Sequence, residues 1–271
     1  MPAGVSTDEL MTIALEMAGM SEIPPDSAIH VPGTGISRLL CGIDMGAAEL
    51  ALAHSLGFDC VLAHHPQPAV LSFPDMVDRF VPLMVGAGVP EAEARDAVGR
   101  IKEPLVLRYQ SGNYDHAPSF ARLLALPYLN IHNPLDEIGR RRMQAAIDAA
   151  VRPDDPVGGV IEALLSIPEF GRAPTRPVLA MGSPSARAGR VLVAHGAGTN
   201  GGYAVAHSCF AHGVGTVVYL HCDYGNLTRL RSEAQGNLVL AGHIAADVAG
   251  IEPYLLELER RGIEIKRVSG L

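Results

Sequence analysis

A strand–helix–strand rhythm near both ends of the chain constrains its fold most strongly. Short apolar runs at 39–43 and 60–63 flank a segment, 47–55, whose composition is typical of a helix. Such alternation predicts βαβ units and a parallel sheet. The rhythm returns later in the chain, with predicted strands at 191–194, 216–220, 238–241 and 263–268 and predicted helices at 203–211 and 227–235. The sequence therefore predicts an α/β protein with mixed, largely parallel sheets.

The first and last predicted helices have recognisable ends. Ser6 and Glu9 fit a capping box ahead of an apolar run, and Gly19 suits the end of that helix. Pro253 is expected near the start of the last helix, which ends at Arg261, because proline is tolerated in a first turn and disfavoured in a helix interior.

The domain organisation follows from where the rhythm is interrupted. Residues 1–151 are predicted to form an N-terminal α/β lobe with a helical excursion at about 70–126, and 191–271 a C-terminal α/β lobe. The proline-rich stretch 152–190 is predicted to connect them. A turn, a strand and a polar cluster recur in both lobes, which predicts an internal repeat.

Polar side chains follow four predicted strands, at 60–63, 128–131, 216–220 and 238–241. The clusters are His64 with His65, His132 with Asp136, His221 with Asp223, and His243 with Asp247. In open α/β sheets, ligands bind at the carboxyl ends of the strands. The sequence therefore predicts a site rich in imidazole and carboxylate groups at one edge of the sheets.

The adjacent histidines at the end of one strand are the most specific sequence signal for a metal site. Neighbouring side chains within a strand point to opposite faces, so both rings can reach one site only where the strand stops. Pro66 stops it, since proline lacks a backbone donor and restricts the residue before it. His64 and His65 are therefore predicted metal ligands.

The H-x-x-x-D spacing occurs twice, in His132 with Asp136 and in His243 with Asp247. On a helical turn the two side chains of each pair face the same way. Imidazole and carboxylate are normal ligands of zinc, iron and manganese. Together with the histidine pair they supply six ligands, more than the four of one tetrahedral zinc ion, so two divalent ions fit the count better.

The other polar residues of the clusters are predicted to have supporting roles. His221 and His132 are candidates for an additional ligand or for a group that orients ligands. No general base stands out, and His132 and Asp223 are the candidates.

A glycine-rich segment offers a competing interpretation. Gly196, Gly198 and Gly201 form G-x-G-x-x-G between a predicted strand and a predicted helix, and Asp223 ends the next strand. This context is typical of a dinucleotide-binding fingerprint, in which helix N-terminal amides hold phosphate. The same segment, with Gly202, can instead be a loop that binds an anionic group of a substrate, or a tight turn that needs glycine.

Charge and cysteine content exclude several classes of protein. A formal net charge of −8 argues against nucleic-acid binding and leaves no polybasic membrane surface. The uncharged stretch 191–222 is rich in histidine and glycine, which indicates the interior of an α/β domain. The four cysteines form no C-x-x-C pair and the first residues lack the features of a secretory signal, so reduced thiols in a cytoplasmic protein are expected.

In five segments the chain resembles the NIF-three-like family, dinuclear-metal-centre proteins often described as homologues of a type 2 GTP cyclohydrolase I. Segment 62–66 resembles the family's T-H-H-P motif, 132–136 its H-T-N-L-D motif and 242–247 its G-H-x-x-x-E motif. The other two segments are 42–44, which resembles the family's first strand, and 196–202, which resembles its glycine-rich loop. Asp247 stands where the family usually has glutamate, and the family's early D-W-D-N-x-G-L segment is missing.

The resemblance implies two similar α/β lobes that face a central metal-binding cleft, and assembly into a homohexamer. It implies two divalent ions per chain, zinc, iron or manganese. By motif match the ligands would be His64, His65, Asp136, His243 and Asp247, with His132 beside them.

Three functions are therefore considered. The first is a metal-dependent hydrolase of a small phosphorylated or nucleotide-like substrate. The second is a non-catalytic protein that stores, delivers or senses a metal, or acts as a scaffold. The third is a dinucleotide-dependent enzyme that uses the glycine-rich segment.

Overall fold

A computed structural model describes residues 4–66, 73–195 and 201–271. The strands are β1 Ala28–Val31, β2 Arg38–Gly42, β3 Cys60–Ala63, β4 Tyr128–Asn130, β5 Val178–Met181, β6 Arg190–Val193, β7 Val214–Tyr219, β8 Asn237–Leu240 and β9 Glu264–Val268. The helices are α1 Thr7–Ala18, α2 Ala47–Ser55, α3 Phe80–Gly86, α4 Glu91–Tyr109, α5 His116–Leu123, α6 Asn133–Ala150, α7 Gly158–Leu165, α8 Pro168–Arg172, α9 Gly202–Ala211, α10 Tyr224–Glu233 and α11 His243–Arg260, with a 3₁₀ helix Phe73–Arg79 before α3. The predicted α/β class is confirmed.

The described residues divide into two compact units whose segments interleave along the chain. Unit 1 comprises the described residues of 1–76 together with 107–138 and 250–271, and unit 2 comprises those of 77–106 and 139–249. This division differs from the two contiguous lobes that the sequence predicts. The C-terminal segment belongs to unit 1 because β9 pairs in parallel with β2.

Unit 1 contains a five-stranded sheet in the order β1-β4-β3-β2-β9, in which only β1 is antiparallel to its neighbour. All four residues of β3 are buried, which explains why this central strand is a continuous apolar run. Side chains from α2, including Leu50, and from α5, including Ala121, pack with this sheet around the buried Tyr128. The Tyr128 hydroxyl donates to the Met45 carbonyl.

Unit 2 contains a four-stranded sheet in the order β5-β8-β7-β6, in which only β5 is antiparallel to its neighbour. Its core includes Met143 of α6, Leu164 of α7, Phe170 of α8 and Ala246 of α11, packed with Val218 of β7. The stretch 152–190, which its prolines predict to be a connector, therefore contains α7, α8 and β5.

The two sheets repeat one detail of their hydrogen bonding. In each, an antiparallel edge strand pairs with the strand that precedes an H-x-x-x-D pair, and the register shifts after the second residue pair. The pairs are Ala28–Asn130, Ile29–Leu129 and Val31–Tyr128 in unit 1, and Val178–Leu240, Leu179–Val239 and Met181–Leu238 in unit 2. The shared irregularity supports the predicted internal repeat.

The predicted end of the first helix is confirmed and the predicted start of the last one is wrong. Ser6 and Glu9 form the capping box, and Gly19 adopts a left-handed conformation at the end of α1. The last helix begins at His243, so Pro253 lies inside it. Proline has no N–H to bond the carbonyl four residues earlier, that of Ala249. The Arg142 guanidinium donates to this carbonyl instead, so the hydrogen bond that the interior proline cannot make is replaced.

Replacing Gly215 by alanine is expected to lower the stability of the protein. A Cβ atom there would lie 2.5 Å from the Ala188 carbonyl oxygen and 2.6 Å from the Gly189 Cα, and backbone atoms cannot rotate away. We expect a loss of about 1–3 kcal/mol in the free energy of unfolding. Gly99→Ala is the matched control, because nothing lies within 4 Å of its Cβ position on α4, and it should stabilise by about 1 kcal/mol. Thermal melting of the two variants should therefore shift in opposite directions, and equal shifts would contradict this packing.

Candidate metal centre

Parallel pairing brings the first two polar clusters together in unit 1. Strands β3 and β4 are neighbours with Ala63 opposite Asn130, so His64 and His132 follow adjacent strand ends. Backbone bonding continues beyond the strands, since the Ile131 N–H donates to the Ala63 carbonyl. The sequence prediction that these clusters share one sheet edge holds within unit 1.

Three imidazole rings and one carboxylate meet at this edge. One ring nitrogen of each of His64, His65 and His132 lies within 4.8 Å of the others. The Asp136 carboxylate, on the first turn of α6, lies 3.3 Å from Nε2 of His64 and 3.7 Å from Nε2 of His132. His64, His132 and Asp136 are almost fully buried, whereas the His65 side chain is 22% exposed. We call these four residues the unit 1 cluster.

Each histidine of the unit 1 cluster is held by its Nδ1 atom. His64 Nδ1 lies 3.1 Å from the Ile131 carbonyl oxygen, His65 Nδ1 lies 2.7 Å from Asp44 Oδ1, and His132 Nδ1 lies 2.6 Å from Asp26 Oδ2. A carbonyl or carboxylate oxygen can only accept, so each Nδ1 carries the proton and donates. The Nε2 atoms are then the nitrogens that can bind a metal. Histidine ligands are usually fixed in this way.

No pattern in the sequence indicated the two carboxylates that accept from these rings, Asp44 and Asp26. Asp44 lies two residues after the end of β2, and its side chain is 72% exposed. Asp26 is fully buried and precedes β1, a strand that the sequence analysis does not predict. The only sequence signal for Asp26 is an acidic residue within a proline-rich loop.

Unit 2 holds a second, smaller cluster, which consists of His221, His243 and Asp247. His243 Nε2 lies 3.3 Å from Asp247 Oδ2, as the H-x-x-x-D spacing predicts for one helical turn. The His221 and His243 rings lie 5.2 Å apart between centroids. Burial lowers the pKa of His221, and the neighbouring His243 lowers it further, which favours the neutral imidazole that metals bind. We call these three residues the unit 2 cluster.

The two H-x-x-x-D pairs are not equivalent within the repeat. The backbone N–H groups of Ile131 and Ala241 each donate to the last residue of the neighbouring strand, so these two residues correspond. His132 therefore corresponds to Gly242, and His243 lies one position further along. Gly242 has φ +98°, a backbone conformation that favours glycine. The identical spacing in sequence thus conceals a one-residue offset between the units.

The donor sets of both clusters fit a divalent transition metal. Imidazole nitrogens combined with carboxylate oxygens suit zinc, iron and manganese. Within unit 1, three histidine rings lie close together in a largely buried position, and the Asp136 carboxylate lies near Nε2 of two of them. Burial of such groups is costly unless they are paired or bind a metal.

The candidate base Asp223 has a structural role in unit 2. It is the N-cap of α10, where its side chain accepts from the Asn226 backbone N–H at 2.9 Å. That hydrogen bond is the main reason why the pKa of Asp223 lies below its usual value. His132, the other candidate, belongs to the unit 1 cluster.

Replacing Asp223 by alanine should therefore cost helix stability rather than metal. We expect Asp223→Ala to lower the free energy of unfolding by about 1 kcal/mol and Asp223→Asn, which keeps an accepting oxygen, by less. Because its pKa is lowered on folding, the charged form contributes stability above about pH 4, and this contribution is lost as pH falls through the folded pKa. The advantage of the wild type over Asp223→Asn should shrink in acid melting curves. Loss of bound metal in Asp223→Ala would contradict this assignment.

The glycine-rich segment is described only at its end. Gly196 and Gly198 lie outside the described residues, while Gly201 is the N-cap of α9 and Gly202 its first residue. A Cβ atom on Gly201 would lie 2.5 Å from the Tyr219 hydroxyl oxygen, so this glycine permits close packing of helix and strand. The Tyr203 N–H, in the first turn of α9, donates to Asn226 Oδ1 and is already engaged. The predicted anion-binding role of this segment stays a prediction.

Comparison with solved structures places the chain in a family. A crystal structure described as a NIF3 superfamily protein from Sphaerobacter thermophilus shares 50% sequence identity with this chain. The match covers 99% of this chain and 100% of that chain, with a TM-score of 0.96. This chain belongs to the NIF3 superfamily. The predicted resemblance is thereby confirmed.

Other structures share the fold of this NIF3 superfamily protein at low identity. HcgD from Methanocaldococcus jannaschii is 12% identical, with a TM-score of 0.62 over 97% of this chain and 98% of that one. A Bacillus cereus protein related to NIF3 is 10% identical, with a TM-score of 0.52 over 97% of this chain and 96% of that one. No family model and no curated protein matches the NIF3 superfamily chain. None of the helices in its described ranges combines the length and hydropathy that a bilayer crossing requires.

Proposed function

We propose that this NIF3 superfamily protein binds two divalent metal ions and hydrolyses a small phosphorylated or nucleotide-like substrate. The proposed ligands are His64, His65, Asp136, His243 and Asp247. The observation that supports metal binding most strongly is the common orientation of the histidines in the unit 1 cluster. Each Nδ1 donates to an oxygen, which makes Nε2 the nitrogen available to a metal.

Residues of both clusters would supply ligands to the ions. His64 and His65 would provide Nε2 ligands from the end of β3. Asp136 would provide an oxygen ligand from the first turn of α6, and Asp247 one from the following turn of α11, next to His243. When bound, two divalent ions lower the pKa of a water molecule and stabilise negative charge that develops on a substrate. Burial of His64 and Asp136 would exclude bulk water and strengthen these electrostatic interactions.

The substrate class and the assembly are parts of the same proposal. A small phosphorylated molecule is proposed because the glycine-rich segment 196–202 has the sequence of an anion-binding loop. A homohexamer in the cytoplasm is proposed from the family resemblance and from the cysteine pattern.

A reconstitution experiment tests the catalytic part of the proposal. Purified protein would be stripped with a chelator, loaded in turn with zinc, iron and manganese, and assayed against panels of phosphoesters, nucleotides and amides. We expect hydrolysis by at least one metal form, and loss of that activity in His243→Ala/Asp247→Ala. A fully loaded protein that hydrolyses none of these compounds would contradict catalysis and favour metal storage, delivery or a scaffold role.

A further inference from the structure

Asp26 lies opposite His132 across a pair of antiparallel strands. The β1–β4 register pairs Ala28 with Asn130. When this antiparallel register is continued by two residues on each strand, Asp26 is opposite His132. Three hydrogen bonds connect the loop before β1 to the end of β4. Asp26 Oδ2 accepts from His132 Nδ1, Ser27 Oγ accepts from the His132 backbone N–H, and the Asp26 carbonyl accepts from Asn130 Nδ2.

The fold itself does not require a carboxylate at this position. Unit 2 repeats the same register between β5 and β8, with Val178 opposite Leu240. Two steps further along, Arg176 is opposite Gly242. The Arg176 guanidinium donates to the carbonyls of Phe170 and Gly171. The buried carboxylate and the imidazole that faces it are therefore particular to unit 1.

We infer that Asp26 is a positioning residue that makes His132 an additional ligand, through Nε2, of the metal held by His64 and His65. The inference rests on the proposed metal site and deepens it. The His132 ring lies 4.9 Å from the His64 ring and 5.9 Å from the His65 ring between centroids. A carboxylate on Nδ1 fixes the ring and increases the basicity of Nε2. A site with three imidazoles favours zinc over manganese, which prefers oxygen ligands.

Metal affinity measured on four variants tests the inference without any substrate. Apparent dissociation constants for Zn²⁺ and Mn²⁺ would be measured on stripped protein by competition with a chromophoric chelator. We expect Asp26→Ala and His132→Ala each to weaken Zn²⁺ binding about 10- to 100-fold and Mn²⁺ binding less. Asp26→Asn should lose less than Asp26→Ala, because its amide oxygen can still accept from Nδ1. In the His132→Ala background, Asp26→Ala should cause no further loss.

A matched carboxylate variant separates positioning from a general effect on stability. Asp59 precedes β3 in the same unit and accepts from the backbone N–H groups of Ser37 and Arg38. Asp59→Asn should lower the melting temperature of the stripped protein and leave Zn²⁺ affinity unchanged. An unchanged Zn²⁺ affinity in His132→Ala would overturn the inference, as would additive losses in the double variant or equal losses for both metals.

The result for the histidine pair distinguishes this inference from the proposed function. If His64→Ala/His65→Ala loses Zn²⁺ and His132→Ala retains it, the metal site stands and the role of Asp26 and His132 is wrong. If Zn²⁺ binding is unchanged both in His64→Ala/His65→Ala and in His132→Ala, the proposed metal site fails as well.

Discussion

A His64→Ala/His65→Ala variant is expected to lose the transition metal that the wild-type protein binds. The proposal gives about two ions per chain for the wild type. The double substitution removes two Nε2 ligands of the unit 1 cluster. It removes the two rings whose Nδ1 atoms donate to the Ile131 carbonyl and to Asp44. Metal content per chain, measured by inductively coupled plasma mass spectrometry on untagged protein, checks the prediction.

The control for this experiment replaces two histidines outside the clusters. His54 on α2 and His116 on α5 are exposed, and His54→Ala/His116→Ala should keep the wild-type metal content. One ion in the wild type would point to Asp247 first, since aspartate is one methylene shorter than the glutamate usual in the family. Retention of metal in His64→Ala/His65→Ala would show that the ligands lie elsewhere.

Replacing Arg142 by methionine is expected to destabilise unit 2 strongly. The guanidinium contacts the Glu169 carboxylate at 3.2 Å and also donates to the Ala249 carbonyl, which Pro253 leaves without its helical donor. The Glu169 side chain is only 5% exposed, so loss of its partner leaves a buried carboxylate uncompensated. Because Arg142 itself is one-third exposed, we expect a loss of about 3 kcal/mol rather than the upper end for buried pairs.

Thermal melting of three variants separates the two contributions of Arg142. For a chain of this size, about 3 kcal/mol corresponds to a decrease of roughly 6–12 °C in the melting temperature. Arg142→Met/Glu169→Met should recover part of the loss, because it removes the buried carboxylate as well. Pro253→Ala in the Arg142→Met background should recover a further part by restoring the helical N–H. A melting temperature equal to that of the wild type in Arg142→Met would refute this account of the interior proline.

The sequence predicted the parts of the fold that rest on continuous apolar runs. Strand β3 has the predicted bounds, 60–63, because a buried parallel strand needs an unbroken apolar run. Helix α2, which precedes it, also has its predicted bounds, 47–55. The edge strands β1 and β5 were missed. They are short, antiparallel and only partly buried, so they lack such a run.

The sequence predicted the ligand types of the candidate site better than the groups that orient them. Spacing alone placed Asp136 beside His132, and Asp247 beside His243, because an i,i+4 pair shares one face of a helix. Asp26 could not be found in this way. It reaches His132 across an antiparallel pair more than a hundred residues apart, and only the register reveals that contact.

Misplacement of the last helix has a related cause. The prediction placed Pro253 near its start because a proline in a helix interior removes one hydrogen bond. The compensating donor, Arg142, lies on α6, more than a hundred residues earlier in the chain. A rule based on local sequence cannot include a partner that only tertiary packing supplies.

Anomalous diffraction at the zinc absorption edge, from crystals of the zinc-loaded protein, tests directly whether the unit 1 cluster binds metal. We expect an anomalous peak beside the Nε2 atoms of His64 and His65, within reach of the Asp136 carboxylate. Strong peaks only at sites away from the unit 1 cluster, or no peak in protein that carries zinc in solution, would contradict it.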